Sequence, residues 1–254
     1  MTKKETIILG CGVSGLSTGI CLLEAGYTNV KIIADQLPPH TTSDKAAAIW
    51  FPYKANPQDL VLKWSMESYR VFEELTKDDG TGVHFVEWFE LKEKIADEIP
   101  WWAAKLPATA YRKAQQSELP DGYSHANVVC VPMIETPIYM PYLLQKFEKN
   151  GGKIEQKRIS DLEEVFKENP QAFLINCTGL GARELCEDSE VYPIQGHIVQ
   201  LEADVNQEIG YLADEGGQNS LAYMMPRKDC IVLGGTAKAY QADLTVDKEV
   251  VADI

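Results

Sequence analysis

Three glycines near the amino terminus have the spacing of a turn that binds phosphate. Gly10, Gly12 and Gly15 form the pattern G-x-G-x-x-G directly after the apolar run at 7–9. In such a turn the first glycine lets the chain reverse, the second lets a pyrophosphate approach the backbone, and the third lets a helix pack closely on a strand. The N–H groups and the partial positive charge at the start of that helix attract an anion.

An acidic residue at the end of the next strand completes the pattern. Asp35 follows the apolar run at 30–34, about 20 residues beyond the last glycine, where an acid accepts hydrogen bonds from an adenosine ribose. The glycine pattern alone is weak, but strand, helix, second strand and acid occur here in the expected order. We therefore predict dinucleotide binding rather than an ordinary βαβ crossover. The acid favours FAD or NAD over NADP.

A group of hydroxyl side chains follows Asp35. Thr41, Thr42 and Ser43 stand before Asp44 and an alanine-rich stretch. This arrangement is typical of a helix cap. It is also typical of a loop whose hydroxyls and amides face an anionic ligand. From the residues alone, the cap is the favoured interpretation.

The elements that must position these residues follow helical and strand patterns. Apolar spacing predicts helices at 58–75 and 136–149, and a shorter helix at 159–166 capped by Ser160. A strand beginning at Phe173 ends in a second glycine-rich stretch. Ligands gather at the carboxyl ends of parallel strands, so we expect this stretch beside the first glycine turn.

Two kinds of segment interleave along the chain. The fold class we predict is α/β, with a Rossmann-like dinucleotide-binding domain interleaved with a β-rich domain. The first domain is assigned to residues 1–55 and 128–185, and the second to residues 56–127 and 186–254.

Composition limits the partners. The chain of 254 residues carries a formal net charge of −14, which disfavours nucleic acid and anionic membranes. No apolar run is long enough to span a membrane, and the amino terminus leads directly into a strand without a signal peptide. The cysteines form no C-x-x-C pair and the histidines are isolated, so we predict reduced thiols, no metal site and an intracellular protein.

Four stretches together resemble the D-amino-acid oxidase and D-aspartate oxidase family of flavoproteins. They are residues 7–26, residues 34–53, residues 176–183 with 192–201, and residues 223–236. The sequences Thr-Thr-Ser-Asp-x-Ala-Ala and Asn-Cys-Thr-Gly within them are far more specific than the glycine pattern. They occur in the family's order and span nearly the whole chain.

The resemblance implies non-covalent FAD as the cofactor and makes the hydroxyl cluster a ligand loop. Asp35 would bind the adenosine ribose, and the alanine-rich stretch would meet the flavin ring. The cofactor-binding residues implied in this way are Gly10, Gly12, Val13, Ser14, Gly15, Asp35, Gln36, Thr41, Thr42, Ser43, Ala47, Ala48, Ile49, Ile159 and Thr178.

The same resemblance implies an enzyme that oxidises a D-amino acid to an imino acid, which hydrolyses to a 2-oxo acid and ammonia. Oxygen reoxidises the flavin and gives hydrogen peroxide. Tyr223 matches a tyrosine that binds the substrate carboxylate, Tyr53 would line the same pocket, and Asn219 stands where the family often has a second tyrosine. The acidic segment 211–215 argues against an acidic substrate side chain, so we predict a neutral one.

The chain ends at Ile254, before the arginine and the glycine- and histidine-containing stretch found in family members. We therefore expect the carboxyl-terminal part of the FAD domain to be absent.

Two alternatives stay open, a truncated, inactive flavin-binding module and an NAD-dependent oxidoreductase. The partners we predict are a small D-amino acid and oxygen, with a homodimer as the candidate assembly. The predicted compartment is the cytoplasm, with the peroxisome as second choice.

Overall fold

The computed structural model describes residues 4–52, 55–92, 99–202, 210–214 and 222–254. The chain divides into two compact units. The first unit comprises Met1–Ala46 with Thr136–Pro193, and the second comprises Ala47–Glu135 with Ile194–Ile254. Within the described residues, no helix combines the length and the apolar character needed to cross a membrane. The domain limits derived from the sequence stay a prediction.

The described residues form six α-helices and thirteen β-strands. The helices are α1 Val13–Glu24, α2 Gln58–Leu75, α3 Thr136–Lys149, α4 Leu162–Glu168, α5 Ala182–Leu185 and α6 Lys248–Asp253. The strands are β1 Thr6–Leu9, β2 Val30–Ala34, β3 Val83–Lys92, β4 Tyr111–Lys113, β5 His125–Ile134, β6 Lys153–Gln156, β7 Phe173–Asn176, β8 Ile194–Gln195, β9 Ile198–Leu201, β10 Tyr211–Asp214, β11 Ala222–Pro226, β12 Ile231–Gly234 and β13 Lys238–Ala239.

The first unit is built on a parallel sheet. Its strand order, within the part of the chain described, is β6-β2-β1-β7, and every pair is parallel. The central strand β1 is fully apolar after Thr6, and its side chains are buried on both faces. This burial explains why β1 is a continuous apolar run rather than an alternating one. Helices α1 and α3 pack against each other in this unit.

The second unit contains a larger mixed sheet. Counting described residues, seven strands follow the order β4-β5-β3-β10-β11-β12-β9, and β3 pairs in parallel with β10 while the other neighbours are antiparallel. Its apolar core gathers Trp50, Trp88 and Trp102 with Tyr69 of α2. The parallel sheet and the separate mixed sheet confirm the predicted α/β fold class.

Most local predictions agree with the structure, and one helix cap does not. Helices α2 and α3 have the predicted limits. Helix α4 begins at Leu162, and its cap is Asp161, whose carboxylate accepts a hydrogen bond from the N–H of Glu163. The predicted cap at Ser160 is therefore wrong. A carboxylate also interacts favourably with the positive end of the helix, which explains the preference for Asp161.

We predict that Phe147→Ala strongly destabilises the first unit. Phe147 is 0% exposed and lies against Gly19 of α1 and against Gly152, so its removal leaves a cavity. The free energy of unfolding should fall by about 3–5 kcal/mol. Phe173→Ala is the matched control, because Phe173 is 60% exposed. Urea titrations followed by far-ultraviolet circular dichroism measure both variants, and equal losses would contradict the described packing.

Candidate functional site

A cavity of about 930 Å³ lies in the first unit at the carboxyl ends of β1, β2, β6 and β7. Ligand pockets typically measure about 300–1,000 Å³, so this cavity is large enough for a sizeable ligand. The lining residues are those at 9–14, 33–36, 41–43, 157–160 and 176–182, with Glu184 and Leu185.

The glycine turn forms the floor of this cavity. Gly10 has a φ of +103°, and a side chain there would collide with the carbonyl oxygen of Cys177. A Cβ on Gly12 would meet only the Ser43 hydroxyl, at 3.0 Å, within the described chain. Gly10 is therefore required for the conformation of the turn, whereas the absence of a side chain at Gly12 leaves space in the cavity.

Gly15 lies apart from the other predicted cofactor residues of the turn. It is buried and is absent from the described cavity lining, and an added side chain would collide with the carbonyl oxygen of Gly10. Its position is the one expected of the third glycine, which allows close packing of helix and strand. The structure thus gives Gly15 a packing role beneath the turn.

The amino terminus of α1 opens onto the cavity. The helix begins at Val13, and both Val13 and Ser14 are lining residues. The N–H of Val13 donates to the hydroxyl oxygen of Ser43 at 3.0 Å. The first turn lies wholly within the described residues and carries no acidic side chain. The partial positive charge of this helix end is therefore free to act on an anion.

The residues after β2 line the same cavity. Asp35 and Gln36 follow the strand directly, and the Asp35 side chain belongs to an exposed residue. The carbonyl oxygen of Asp35 accepts a hydrogen bond of 3.0 Å from the side-chain amide of Gln156, the last residue of β6. This contact fixes the backbone of Asp35 at the cavity edge.

The hydroxyl cluster forms the cap that the residues alone favoured. Thr42–Lys45 form a short 3-10 helix, and the Asp44 carboxylate accepts from the Thr41 N–H at 2.9 Å and from the Thr41 hydroxyl at 2.6 Å. Thr41, Thr42 and Ser43 nevertheless all line the cavity. Capping by Asp44 thus holds in place a loop whose residues line the cavity.

A basic pair in the lining was missed by the sequence analysis. Lys157 and Arg158 follow β6, and their neighbour Ile159 lines the cavity as well. The Lys157 ammonium lies 3.2 Å from the Glu168 carboxylate, whereas Arg158 makes no ion pair with another described residue. The pair could have been found from its position, because it directly follows β6, and β6 lies parallel to β2, whose carboxyl end carries Asp35.

The second glycine-rich stretch lies beside the first one, as predicted. Cys177 donates its N–H to the carbonyl oxygen of Leu9 at 2.8 Å, which joins the ends of β7 and β1. Thr178 lines the cavity, and its N–H and hydroxyl both donate to the Asn176 side-chain oxygen, at 3.1 and 2.7 Å.

The residues expected at the flavin ring belong to the second unit. Ala47, Ala48 and Ile49 precede Trp50, and the carbonyl oxygen of Ala48 accepts from the N–H of Ile134 at 2.9 Å. Ala48 has a φ of +60°, a left-handed conformation that is uncommon outside glycine and that clusters at functional sites.

Of the three residues predicted to act on substrate, the structure describes Tyr223. It lies on β11, paired with Ala213 of β10 and with Gly234 of β12. A side chain on Gly234 would collide with the Tyr223 ring, so the ring packs directly on this backbone. Tyr53 and Asn219 lie outside the described residues.

The thiol inside the glycine turn is protected. Cys11 is 2% exposed, and burial raises the pKa of its thiol to about 11, with smaller contributions from the negative charges of Asp44 and Glu148. The thiol therefore stays protonated near neutral pH and acts as a small apolar side chain.

Comparison with known proteins identifies relatives of the whole chain. A family model described as "FAD dependent oxidoreductase" matches residues 5–254. The D-amino-acid oxidase of Rubrobacter xylanophilus is 38% identical over 234 residues, which cover 92% of this chain and 70% of that protein. The human D-aspartate oxidase is 30% identical over 258 residues, covering 98% of this chain and 73% of that protein.

A solved structure has the same fold. The glycine oxidase of Geobacillus kaustophilus superposes with a TM-score of 0.75 at 17% identity, over 99% of this chain and 76% of that one. At this identity the similarity shows the fold alone.

We predict that Cys11 resists alkylation in the folded protein. At pH 8 a thiol with a pKa of about 11 is ionised to about one part in a thousand, and its burial blocks the reagent. Cys21 and Cys186 are exposed and should react with iodoacetamide within minutes. Peptide mass spectrometry measures each site, with the denatured protein as the control. Labelling of Cys11 at the rate of Cys21 would contradict the described turn.

Proposed function

Because the chain belongs to the FAD dependent oxidoreductase family, we propose that it oxidises a D-amino acid with a neutral side chain. The products would be a 2-oxo acid, ammonia and hydrogen peroxide. The observation that carries this proposal is the 38% identity to a D-amino-acid oxidase over 92% of the chain.

The cavity of the first unit fits FAD. Gly12 presents no Cβ to it, α1 directs its amino terminus toward it, and Asp35 supplies an acceptor for a ribose. These features suit a pyrophosphate joined to a nucleoside. The residues that we propose hold the cofactor are Gly10, Gly12, Val13, Ser14, Asp35, Gln36, Thr41, Thr42, Ser43, Ile159 and Thr178, with Ala47, Ala48 and Ile49 toward the flavin ring. Gly15 supports the turn from beneath by close packing.

Bound FAD supplies the electron acceptor for a hydride from the substrate α-carbon. The protein's own part is to bind and orient the substrate and to exclude water, and no side chain has to remove a proton from the α-carbon. We assign the substrate carboxylate to the hydroxyl of Tyr223, and we place Tyr53 and Asn219 in the same pocket. A phenolic O–H donates well to a carboxylate.

The charge beside Tyr223 supports a neutral substrate side chain. In the sheet, Tyr223 is opposite Ala213, and Ala213 is opposite Glu90 of β3. Directly paired residues project from the same face, so a buried carboxylate lies two strands away from Tyr223. Asp214, the next residue of β10, projects from the opposite face, where its carboxylate accepts from the Tyr123 hydroxyl. The Glu90 carboxylate would disfavour the side chain of D-aspartate.

The proposal also includes an assembly and a location: the protein forms a homodimer and resides in the cytoplasm. Sedimentation velocity of the purified protein tests the dimer. A fluorescent fusion tests the cytoplasm against the peroxisome.

A direct assay tests the proposed reaction. The purified chain should have the absorption spectrum of bound flavin and should produce peroxide from D-alanine, with little from L-alanine or D-aspartate. A protein that takes up no FAD, or that binds FAD but is not reduced by any D-amino acid, would refute the proposal.

We predict that Gly12→Ala folds but loses FAD. The added methyl group meets the Ser43 hydroxyl at 3.0 Å without striking described backbone, so the fold should survive, but it occupies the path of a pyrophosphate. FAD affinity should fall at least about 100-fold in a fluorescence titration, with unchanged circular dichroism. Gly210→Ala in the second unit is the glycine control, since no described atom within 4 Å would meet its Cβ and its φ is not in the left-handed region. Retention of FAD by Gly12→Ala would contradict this placement.

We predict that Tyr223→Phe weakens substrate use while FAD remains bound. A hydrogen bond to a charged group contributes about 1.5–3 kcal/mol, which corresponds to roughly a 10- to 150-fold loss in kcat/KM for D-alanine. Steady-state peroxide assays measure the loss. Tyr192→Phe serves as the control, because Tyr192 belongs to the first unit and is absent from its described cavity lining. An unchanged kcat/KM in Tyr223→Phe would remove this tyrosine from the site.

A further inference from the structure

Helix α2 carries an apolar stripe that faces solvent. Leu60, Trp64 and Val71 are 39%, 56% and 54% exposed. At about 100° of rotation per residue, their spacing places all three within about 40° of one another around the helix. Tyr69 lies on the opposite side of the helix and is buried in the core of the second unit. The helix therefore packs through one face and leaves a second apolar face in contact with water.

The exposed apolar surface extends beyond the helix. On one side of the stripe lies a groove of about 370 Å³, which Trp64 and Phe72 of α2 line together with Ile49 and Phe51. Contiguous apolar surface of this kind marks an interaction site, whereas single exposed apolar residues need no explanation. Tryptophan is also enriched among the residues that contribute most to binding at protein interfaces.

The other side of the stripe carries a row of charges. Lys63, Glu67, Arg70 and Glu74 are exposed and are spaced by four, three and four residues, so they follow one line along the helix. The row holds two basic and two acidic residues, although the whole chain has 24 basic and 38 acidic residues. Because the row is neutral, two copies can bring it together without the repulsion that a net charge of −14 causes elsewhere.

The charges of this row are available for new partners. Arg70 lies 2.9 Å from Glu67, and Glu74 pairs with Lys77, both within the helix. The side chains of these pairs are 67–73% exposed. Exposed pairs contribute little to stability, so they can be exchanged for pairs across an interface at little cost.

The order of the charges is self-complementary under a two-fold rotation. We consider two α2 helices that lie side by side and antiparallel, with the axis at the level of Ser68. Lys63 then stands level with Glu74 of the second copy, and Glu67 stands level with Arg70 of the second copy. The rotation keeps both charged rows on the same side of the helix pair, so every residue of the row meets an opposite charge.

The apolar stripe meets itself in the same register. Val71 of the second copy stands two residues from the level of Trp64, which is about 3 Å at the helical rise of about 1.5 Å per residue. A parallel pair of helices would instead set the charged row of one copy against the groove of the other. The charges therefore favour the antiparallel arrangement.

We infer that α2 is the surface through which two copies of this chain form a two-fold symmetric dimer. The stripe of Leu60, Trp64 and Val71 supplies most of the affinity, and the charged row sets the orientation and register. The inference names the interface of the homodimer included in the proposed function, and it depends neither on FAD nor on the substrate.

Exchanging the charges of Lys63 and Glu74 tests the register. In one chain these residues are eleven positions apart, about 16 Å along the helix, and salt screens charges beyond about 8 Å. Lys63→Glu and Glu74→Lys should each raise the dimer dissociation constant about tenfold, because each sets like charges opposite one another. The double variant should return to within about twofold of the wild-type constant. Sedimentation velocity of the full chain over a concentration series measures each constant, and circular dichroism verifies the fold.

Removing the tryptophan tests the apolar stripe. Trp64→Ala should raise the dimer dissociation constant at least about tenfold, since a large aromatic side chain leaves the centre of the contact. Phe173→Ala is the matched control, because Phe173 is similarly exposed, at 60%, but belongs to the first unit. Its dissociation constant should equal that of the wild type.

The outcomes separate this inference from the proposed reaction. A dimer that Trp64→Ala or the single charge variants leave unchanged would overturn the inference, as would single variants that the double variant does not rescue. A wild-type chain that stays monomeric at every concentration would refute the homodimer and its interface together. A dimer that binds no FAD or makes no peroxide would refute the proposed reaction and leave the interface standing.

Discussion

The approach of three backbone segments at Gly10 is the constraint on which the first unit depends. The Cα of Gly10 lies against the carbonyl of Cys177, and Gly15 in α1 lies against the carbonyl oxygen of Gly10. A side chain at either glycine would separate these segments. Because they meet, the ends of β1 and β7 and the start of α1 share one turn, and their polar backbone groups surround a single cavity.

What could be predicted from the sequence was mainly what local spacing determines. The limits of α2 follow from its apolar periodicity, and the glycine turn follows from three residues close in the chain. The cap of α4 was misjudged because Ser160 and Asp161 are both competent caps and their relative strength depends on geometry. Lys157 and Arg158 were missed because only the parallel register of β6 with β2 brings them to the cavity.

The hydroxyl cluster shows why residue types alone left two interpretations open. A capping threonine and a ligand-binding threonine have the same sequence signature, since both depend on a hydroxyl before a turn. In the structure Thr41 lines the cavity, and the Asp44 carboxylate that stabilises the 3-10 turn also accepts a hydrogen bond from the Thr41 hydroxyl. One contact therefore fixes both the loop and the orientation of this hydroxyl.

The charge of the chain poses a final question, since a protein with a net charge of −14 would repel an anionic dinucleotide. Salt screens charges beyond about 8 Å at physiological ionic strength, so the groups nearest the ligand dominate. Those groups include the amino terminus of α1 and Arg158, which has no acidic partner among the described residues. Lys157 is partly neutralised by Glu168, and the carboxylates of Asp35 and Glu184 also line the cavity, so the attraction of an anion depends on Arg158 and the helix end lying close to it. An acidic surface is therefore compatible with a cavity that binds an anion, because salt screens the distant surface charges and leaves the groups in contact with the ligand to act on it.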